Sequence, residues 1–324
     1  FKNNLIYEPE SSNKLSSWNQ STACCRWKGV TCDKESHVTG LDLSEELISG
    51  GLDNSSSLFS LQYLQHLNLS YNNFNSEIPS TFNKLENLTS LSLAYAGFLG
   101  QIPIEISQLT RLFTLDLSAQ AEQLKLVNPS LRELVRNLTK VRQLYLNGVS
   151  ILGPGQEWHA ALLQIPTLQE LSMFSCDLSG PLLSSLARLE NLSVIDLSNN
   201  HLSSPVPETF AYFKSLTNLR LVDCELIGMF PEKIFQLPTL SYIDISDNYD
   251  LHGFFHHFPP NGSLQTLMVT NTNFSGPLPN SIGNLRHLSY LDLSASEFNG
   301  TLPNSLSNLT QLVELDLSEN HFSG

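Results

Sequence analysis

The amino-acid sequence predicts an α/β repeat solenoid, a fold in which similar short units stack along one axis. A similar stretch recurs along almost all of the chain, with clear copies LQHLNLSYNNFNSEIP at 64–79 and LSYLDLSASEFNGTLP at 288–303. Each copy contains a core of the form L-x-L. The first residues of these cores are Leu41, Leu67, Leu91, Leu115, Leu144, Leu171, Ile195, Leu219, Ile243, Leu267, Leu291 and Leu315. Subtracting neighbouring positions gives steps of 26, 24, 24, 29 and 27 residues, followed by six steps of 24.

This fixed period carries the pattern L-x-x-L-x-L-x-x-N, which is the signature of leucine-rich repeats. Apolar and polar residues alternate within each core, as in Leu291-Asp292-Leu293-Ser294, and this alternation predicts a short half-buried strand. Each repeat can bury its apolar face only against its neighbours. The predicted architecture is therefore a right-handed superhelix with a parallel sheet on its concave face and short helical or 3-10 turns on its convex face.

A short, mostly polar side chain follows most cores, five positions after the first core residue. The position is occupied by Asn72, Asn200, Asn248, Asn320, Cys176, Cys224, Thr272 and Ser296. A short polar side chain there can hydrogen-bond the buried backbone of the turn that leaves the strand. Cys176 and Cys224 are two repeats apart, roughly 9–10 Å, which exceeds the Cα separation of about 7 Å that a disulfide tolerates. We therefore expect both cysteines to be small buried residues.

After this position several copies carry the motif x-G-x-(I/L/F)-P, as at Gly276-Pro277-Leu278-Pro279. Glycine permits a tight bend and proline halts regular pairing, so the motif predicts the end of regular strand structure. The segment that follows, such as residues 281–285, is predicted to form a short helical turn on the convex side.

Composition restricts the class of partner. The net charge of -14, from 17 Lys+Arg and 31 Asp+Glu, disfavours nucleic acid and anionic lipid, which select clustered basic residues. No run of 18 or more apolar residues occurs, so the sequence predicts no membrane span within this chain. A set of N-x-S/T sequons favours a glycosylated, secreted surface. The sequons are Asn19, Asn54, Asn68, Asn87, Asn137, Asn191, Asn261, Asn273, Asn299 and Asn308.

The two termini indicate how the chain is organised. We expect an N-terminal cysteine-containing cap over residues 1–36, truncated at its start, followed by repeats over residues 37–324. These amount to about 11–12 repeats of mostly 24 residues, irregular at 115–165 and incomplete at the end. We interpret the chain as part of a longer ectodomain, in which a membrane contact would come only from a missing C-terminal span.

Three stretches of sequence carry a more specific resemblance. The consensus L-x-x-L-x-x-L-x-L-S-x-N-x-F-x-G-x-I-P is similar to the plant class of extracellular leucine-rich repeats. Leu15-Ser16-Ser17-Trp18, with Cys24-Cys25-x-Trp27-x-Gly29-Val30-x-Cys32, resembles the N-terminal cap of that class. Residues 124–131, LKLVNPSL, and 144–149, LYLNGV, resemble plant receptor-like proteins of the Verticillium-wilt-resistance type.

This resemblance implies a cell-surface immune receptor whose repeats lie on the extracellular face of the plasma membrane. Its partners would be a secreted microbial protein or peptide and a receptor-like kinase that acts as co-receptor or adaptor. In the family's cap the second cysteine of the pair bonds the downstream one, which implies a disulfide between Cys25 and Cys32. Cys24 would then be a free thiol, because the family's upstream partner is absent from this sequence.

Two sets of residues are candidates for ligand binding. The first lies in the two longer repeats, around 119–137 and 151–158, because surplus residues in a solenoid form loops that are often on the binding face; its members are Glu122, Lys125, Arg132 and Trp158. The second comprises large side chains at outward strand positions, since aromatic residues and arginine are enriched at interface hot spots. Its members are Tyr71, Tyr95, Tyr145, Phe174, Arg220, Tyr242 and Tyr290. The alternatives are a tolerated insertion and a solvated sheet with incidental aromatics.

The recurring L-D-L-S consensus also places aspartates along the outward face. They are Asp42, Asp116, Asp196, Asp244, Asp292 and Asp316. We interpret this stripe as mostly structural, with aspartate and serine side chains bonding across strands.

The sequence disfavours an enzyme and predicts neither a cofactor nor a metal site. No nucleophile elbow, P-loop or H-E-x-x-H motif occurs. His252, His256 and His257 lie in a loop without a carboxylate at a fitting offset. The alternative to a receptor is a secreted inhibitor of microbial cell-wall-degrading enzymes, similar to polygalacturonase-inhibiting proteins.

Overall fold

The structure is a computed structural model that describes residues 1–120, 123–152, 157–260 and 262–323. It consists of two compact units. The first unit comprises Phe1–Gly153, Ala160–Leu168 and Ser175–Asp177, and the second comprises Pro154–His159, Gln169–Phe174 and Leu178–Gly324. Both units have the leucine-rich repeat solenoid fold that the sequence predicts.

The described residues of the first unit form nine strands. They are β1 (Val30–Cys32), β2 (Val38–Asp42), β3 (His66–Asn68), β4 (Ser76–Glu77), β5 (Ser90–Ser92), β6 (Phe98–Gln101), β7 (Thr114–Asp116), β8 (Leu124–Lys125) and β9 (Gln143–Tyr145). Its main sheet has the order β1, β2, β3, β5, β7, β9, with β1 antiparallel to β2 and all other neighbours parallel. The register pairs the first core residue of each repeat with that of the next, for example Leu67 with Leu91.

In the described part of the second unit there are twelve strands. They are β10 (Glu170–Ser172), β11 (Val194–Asp196), β12 (Asn218–Arg220), β13 (Ile227–Met229), β14 (Tyr242–Asp244), β15 (Asp250–Gly253), β16 (Thr266–Met268), β17 (Asn273–Gly276), β18 (Tyr290–Asp292), β19 (Glu297–Thr301), β20 (Glu314–Asp316) and β21 (His321–Ser323). The parallel main sheet runs β10, β11, β12, β14, β16, β18, β20. Every core that the sequence indicates therefore lies in a strand of a main sheet, and that prediction is confirmed.

Each unit also has a second, smaller parallel sheet that the sequence did not predict. Strands β4, β6 and β8 form it in the first unit, and β13, β15, β17, β19 and β21 form it in the second. Several of these strands contain the glycine of the x-G-x-(I/L/F)-P motif, for instance Gly276 and Gly300. The chain bends at this motif and pairs again over a few residues, and regular pairing ends before the proline, as at Thr301 and Pro303.

Short 3-10 helices form most of the side opposite each main sheet, as predicted. In the repeats they span Ser57–Ser60, Ser80–Lys84, Ile104–Gln108, Ser184–Arg188, Glu208–Tyr212, Glu232–Gln236, Asn280–Asn284 and Asn304–Asn308. Three more lie at the N-terminal end, over Lys2–Asn4, Leu15–Ser17 and Cys24–Arg26. Many begin directly after a proline, whose fixed φ suits the first helical turn and whose missing N–H costs nothing there. Two short α-helices occur in the longer repeats, α1 (Leu131–Val135) and α2 (Glu157–Leu162).

The buried asparagines connect neighbouring repeats. Nδ2 of Asn248 donates to the carbonyls of Leu221 at 2.8 Å and Ile245 at 2.9 Å. Its Oδ1 accepts from the backbone N–H groups of Cys224 at 3.0 Å and Leu226 at 2.9 Å. The same kind of bridge recurs at Asn72, Asn200 and Asn320. One side chain therefore satisfies turn groups that would otherwise be buried without partners.

A buried glutamate holds the N-terminal segment against the first repeat. Glu46 occupies the position that asparagine holds in other repeats, and its side chain is only 1% exposed. Its carboxylate accepts from the backbone N–H groups of Lys14 at 3.0 Å and Leu15 at 3.1 Å, and from the hydroxyl of Ser12. Hydrogen bonds to a charged acceptor are stronger than those between neutral groups. The sequence analysis did not single out Glu46.

Cys25 and Cys32 form a disulfide with a Cα–Cα distance of 5.5 Å, the pairing that the family resemblance implies. The rings of Trp18 and Trp27 stack beside it with centroids 4.9 Å apart. Cys24 is a free thiol of intermediate exposure. One covalent bond and one aromatic stack therefore hold parts of the N-terminal segment together.

Candidate functional site

A cleft of about 520 Å³ lies on the outer face of the main sheet in the first unit, that is, on the face opposite the buried leucines. Small residues such as Ser70, Ser92 and Ala94 form its floor. Its larger or charged lining residues are Glu45, Tyr71, Tyr95, Asp116, Tyr145 and Asn147. The structure therefore brings three predicted ligand-binding residues, Tyr71, Tyr95 and Tyr145, into one site.

Two tyrosines form a wall of the cleft. The ring of Tyr71 is stacked on that of Tyr95, with centroids 5.6 Å apart and planes 22° apart. Both residues have a positive φ, 55° and 52°. Their backbone N–H groups donate to Ala94 O at 2.8 Å and Ser118 O at 2.7 Å, which fixes this conformation. Since Tyr71 is 56% exposed and Tyr95 36%, the rings present an aromatic surface to solvent.

Two carboxylates supply the charge of the cleft. Oδ1 of Asp116 accepts from the backbone N–H of Ser118 at 3.0 Å. Burial raises the pKa of Asp116 above its ordinary value, and hydrogen bonds from Ser118 and Ser92 oppose that shift. Burial is also the main cause that raises the pKa of Tyr95, and the charge of Asp116 adds to it. The second carboxylate, Glu45, is exposed at the rim.

Two aspartates of the stripe have a basic partner, whereas the two cleft carboxylates have none among the described residues. Lys14 Nζ lies 2.8 Å from Asp42, and Arg220 Nη1 lies 3.7 Å from Asp196. Within the described ranges, no lysine, arginine or histidine forms an ion pair with Glu45 or Asp116. The aspartates of the stripe bond the serine two residues on, as at Asp292 and Ser294. Asp116 also bonds Ser92 of the neighbouring strand, as expected for this stripe.

The second unit presents a different group of outward side chains. The guanidinium of Arg220 lies over the ring of Tyr242, 5.4 Å from its centroid. Arg220 is thus already engaged with Tyr242 and Asp196. Phe174 is 40% exposed and Tyr290 is 44% exposed. These four predicted residues lie on outward positions, but the cleft of the first unit does not include them.

The described residues of the insertion do not line the cleft. Lys125 ends strand β8 of the small sheet, and its carbonyl accepts from the N–H of Ile102 at 3.0 Å. Arg132 lies in helix α1, which takes the place of a 3-10 turn and contacts the turn at Ile104–Gln108. Both side chains are exposed, but on other surfaces than the cleft. Glu122, the remaining predicted residue of this stretch, is outside the described residues.

The expectation for Trp158 is wrong. Its side chain is 4% exposed, and its indole N–H donates to the carbonyl of Ser179 at 3.3 Å. The ring also stacks on His159 with centroids 3.5 Å apart. A buried indole with a satisfied N–H is a packing residue, so Trp158 presents no surface to a ligand.

Cys176 and Cys224 are buried, as predicted. The Sγ of Cys176 lies 2.9 Å from the carbonyl of Leu146, and that of Cys224 lies 3.2 Å from the carbonyl of Leu197. Burial raises the pKa of Cys224 to about 12, so its thiol is protonated and unreactive at neutral pH. Both cysteines take the place of the bridging asparagine.

In each of two places among the described residues, three potential metal ligands lie close together, but neither group forms a buried metal-binding site. Cys25 and Cys32 are consumed by their disulfide. Asp33, Glu35 and His37 are at most half-buried, and His37 is hydrogen-bonded to Asp33 at 3.1 Å. Among the loop histidines, His256 pairs with Glu232 at 2.8 Å, while His252 bonds the carbonyl of Asp250 at 2.9 Å.

The predicted glycosylation sites differ in exposure. The exposed ones are Asn19, Asn54, Asn137, Asn191, Asn299 and Asn308. Asn68, Asn87 and Asn273 are half-buried, and Asn261 is outside the described residues. Asn68 also lines the cleft, where its Oδ1 accepts from the hydroxyl of Ser70 at 2.6 Å.

Comparison with known families agrees with this architecture. The leucine rich repeat N-terminal domain matches residues 1–33, and the leucine rich repeat matches residues 63–85, 191–213, 263–285 and 287–309. Receptor-like protein 6 of Arabidopsis thaliana is 38% identical over 246 residues, which are 66% of this chain and 24% of that protein. Receptor-like protein Cf-9 of Solanum pimpinellifolium is 37% identical over 198 residues, 59% of this chain and 22% of that protein. The chain therefore carries leucine-rich repeats and is similar to plant receptor-like proteins.

Solved structures show the same fold. A TDR receptor has a TM-score of 0.65 at 27% identity, over 83% of this chain and 50% of that chain. The ectodomain of GASSHO1/SCHENGEN3 from Arabidopsis thaliana, in complex with Casparian strip integrity factor 2, has a TM-score of 0.58 at 25% identity. That match covers 94% of this chain and 44% of the ectodomain. The chain therefore spans about a quarter of the length of these relatives and about half of the length of these two solved structures. No helix among its described residues has the length and apolar character needed to cross a membrane.

Sequence reasoning identified the tyrosines of the cleft and missed its charge. Glu45 and Asn147 line the cleft without having been singled out, and Asp116 was treated as part of a structural stripe. The positions of these residues within their repeats could have indicated that they lie together. Tyr71, Tyr95 and Glu45 all stand four positions after the first core residue of their repeats.

Proposed function

We propose that the chain is the ligand-recognition part of a plant cell-surface immune receptor. It binds a secreted microbial protein or peptide and catalyses no reaction. The observation that carries this proposal is the cleft of the first unit, where exposed aromatic side chains are held on a rigid sheet. Exposed tyrosines are favoured at binding hot spots because they offer a large contact area with few rotatable bonds.

The comparisons support recognition of a polypeptide. The GASSHO1/SCHENGEN3 ectodomain, which shares this fold, was solved with a bound factor. We further propose an extracellular location at the plasma membrane and signalling through a partner receptor kinase, as the family resemblance implies. The repeats at 37–324 would form the recognition surface, and the cap at 1–36 would protect the first repeat.

Affinity capture tests the proposal. The chain is immobilised, secreted proteins of a microbial culture are passed over it, and retained proteins are identified by mass spectrometry. We expect a retained protein whose binding falls about tenfold or more when Tyr71→Asn and Tyr95→Asn are combined, since two aromatic anchors are lost. Tyr212→Asn is the matched control, because Tyr212 is 69% exposed but lies in a 3-10 helix away from the main-sheet face.

Two outcomes would contradict the proposal. One is that no secreted protein is retained above the level of a blank resin. The other is that the double variant and the Tyr212→Asn control retain the same protein equally well. If the retained protein is a cell-wall-degrading enzyme that loses its activity on binding, the inhibitor function replaces the receptor function.

A further inference from the structure

The backbone of the cleft makes its tyrosines unexpected on stability grounds. In most repeats the fourth position after the first core residue is left-handed, with φ between 50° and 59°. The residues that occupy it elsewhere include Asn199, Asp223 and Asn271. Asparagine and aspartate tolerate this conformation because their short side chains can bond locally, whereas bulky residues do not. Tyr71 and Tyr95 therefore occupy a position that neither backbone preference nor core packing favours.

The charges around these rings all have one sign. Asp116 faces the cleft half-buried, and Glu45 stands at its rim. Among the described residues, Lys14 is a basic side chain that reaches the lining, where its Nζ donates to the carbonyl of Ser44 at 3.1 Å and to its hydroxyl at 3.2 Å. Its ammonium group is already neutralised by Asp42 at 2.8 Å. The cleft thus combines a stacked aromatic wall with carboxylates that lack a positive partner within the described part of the chain.

We propose that this cleft is a binding site for a basic side chain of the protein ligand, with arginine preferred. A guanidinium group can lie flat on a tyrosine ring while its N–H groups donate to a carboxylate. The same pairing already exists elsewhere in the chain, where Arg220 lies over Tyr242 and reaches Asp196. The cleft of the first unit holds the aromatic and acidic parts of that arrangement without the arginine.

The size and electrostatics of the cleft agree with this occupant. A volume of about 520 Å³ accommodates one or two side chains rather than a folded segment. Desolvation disfavours the charged form of Asp116, and a cation bound beside it offsets that cost. A neutral sugar can stack on tyrosine rings and donate hydroxyl hydrogen bonds to Asp116, but it brings no charge to offset the desolvation of that carboxylate. The half-buried charge of Asp116 therefore favours a basic side chain over a carbohydrate.

The test uses the 324-residue chain with ¹³C-labelled tyrosine rings, made without N-glycosylation so that no glycan at Asn68 covers the cleft. The probe is the blocked peptide acetyl-Gly-Arg-Gly-amide, and its counterpart with neutral citrulline in place of arginine is the matched ligand control. We expect saturable shifts of the Tyr71 and Tyr95 ring signals with the arginine peptide. The citrulline peptide should bind about fivefold more weakly or worse, because it lacks the charge.

Three variants assign the effect to the cleft. Asp116→Asn and Tyr71→Asn should each weaken arginine-peptide binding about fivefold or more, since each removes one side of the pairing. Asp292→Asn should leave it unchanged. Asp292 occupies the same repeat position as Asp116 and also accepts from the serine two residues on, but the preceding repeat carries Asn271 where Tyr95 precedes Asp116. Circular dichroism spectra identify any variant that fails to fold, and the remaining variants then decide the result.

The inference rests on the proposed function for the origin of the basic side chain, and the two can fail separately. Any of three results would overturn the inference. The tyrosine ring signals do not shift saturably with the arginine peptide, the citrulline peptide binds with equal affinity, or chitotriose shifts the signals and the arginine peptide does not. If affinity capture succeeds but Asp116→Asn retains the captured protein fully, the inference falls and the proposed function stands. If the peptide binds as expected but no secreted protein is captured, the cleft assignment stands and the receptor function falls.

Discussion

Single residues distinguish the recognition surface from the scaffold in this chain. The same left-handed position carries Glu45, Tyr71, Tyr95, Asn199 and Asp223 in different repeats. In each case the backbone N–H donates to the carbonyl of the next repeat, as Tyr95 does to Ser118. The backbone is thus set by the fold, and the side chain is free to vary. A tyrosine at this position introduces backbone strain, and stacking on the neighbouring tyrosine offsets part of that free-energy cost.

The substitution Tyr71→Asn measures this balance. It relieves strain of about 1 kcal/mol or more and loses a ring stack of about 0.5–1.5 kcal/mol. We therefore expect the free energy of unfolding in urea to change by less than about 1 kcal/mol, while ligand binding falls. The reverse change Asn199→Tyr should destabilise by about 1–2 kcal/mol, because it adds the strain to a repeat that lacks a stacking partner. A loss of more than about 2 kcal/mol for Tyr71→Asn would show that the ring is structural rather than functional.

At the scale of elements, the strand and the turn that follows it are joined by one polar side chain per repeat. Asn248 bonds groups of its own repeat and of the preceding one, and it is 1% exposed. Cys224 and Thr272 fill the equivalent position in adjacent repeats with fewer bonds to neighbouring repeats. The backbone groups of the turn are therefore better hydrogen-bonded in repeats with asparagine. In those repeats the turn is held more firmly to its strand.

The substitution Asn248→Ala removes this bridge and leaves several backbone groups buried without partners. Each such group costs about 1–3 kcal/mol, so we expect a loss of about 3 kcal/mol or more in the free energy of unfolding, measured by urea denaturation. Asn280→Ala is the control, because Asn280 is exposed and should change stability by no more than about 0.5 kcal/mol. If the two variants unfold at the same urea concentration, the bridging role of Asn248 is wrong.

The main-sheet strands and 3-10 turns were predictable because alternation and period recur in every copy. The small sheets were not, since their strands span only two to five residues and often stop near a proline. Trp158 was misjudged because surplus residues indicate a loop but not which of its side chains turn inward. The charge of the cleft was hidden because Asp116 follows the same L-D-L-S consensus as Asp292, and only the tyrosines of neighbouring repeats make its surroundings different.

At the scale of the whole molecule, the acidic charge acts together with the cleft. Lys+Arg 17 against Asp+Glu 31 gives a net charge of -14, and this field attracts a basic ligand before any contact forms. Attraction of this kind is screened by salt, since the Debye length falls from about 30 Å at 0.01 M to about 3 Å at 1 M ionic strength. The local pairing at Asp116 is screened less, because its carboxylate is partly desolvated.

The dependence of binding on salt separates these two contributions. When sodium chloride is raised from about 20 mM to about 500 mM, we expect the affinity for the arginine peptide to fall about threefold to tenfold, as measured by the tyrosine ring shifts. The citrulline peptide lacks the charge, so its weaker binding should change less than about twofold. The Asp116→Asn variant should lose the direct contact between the carboxylate and the arginine side chain. Its remaining affinity should still depend on salt, because the other acidic residues of the chain still attract the peptide. An arginine-peptide affinity that does not respond to salt would show that the rings alone bind the probe and that the acidic charge of the chain serves only solubility.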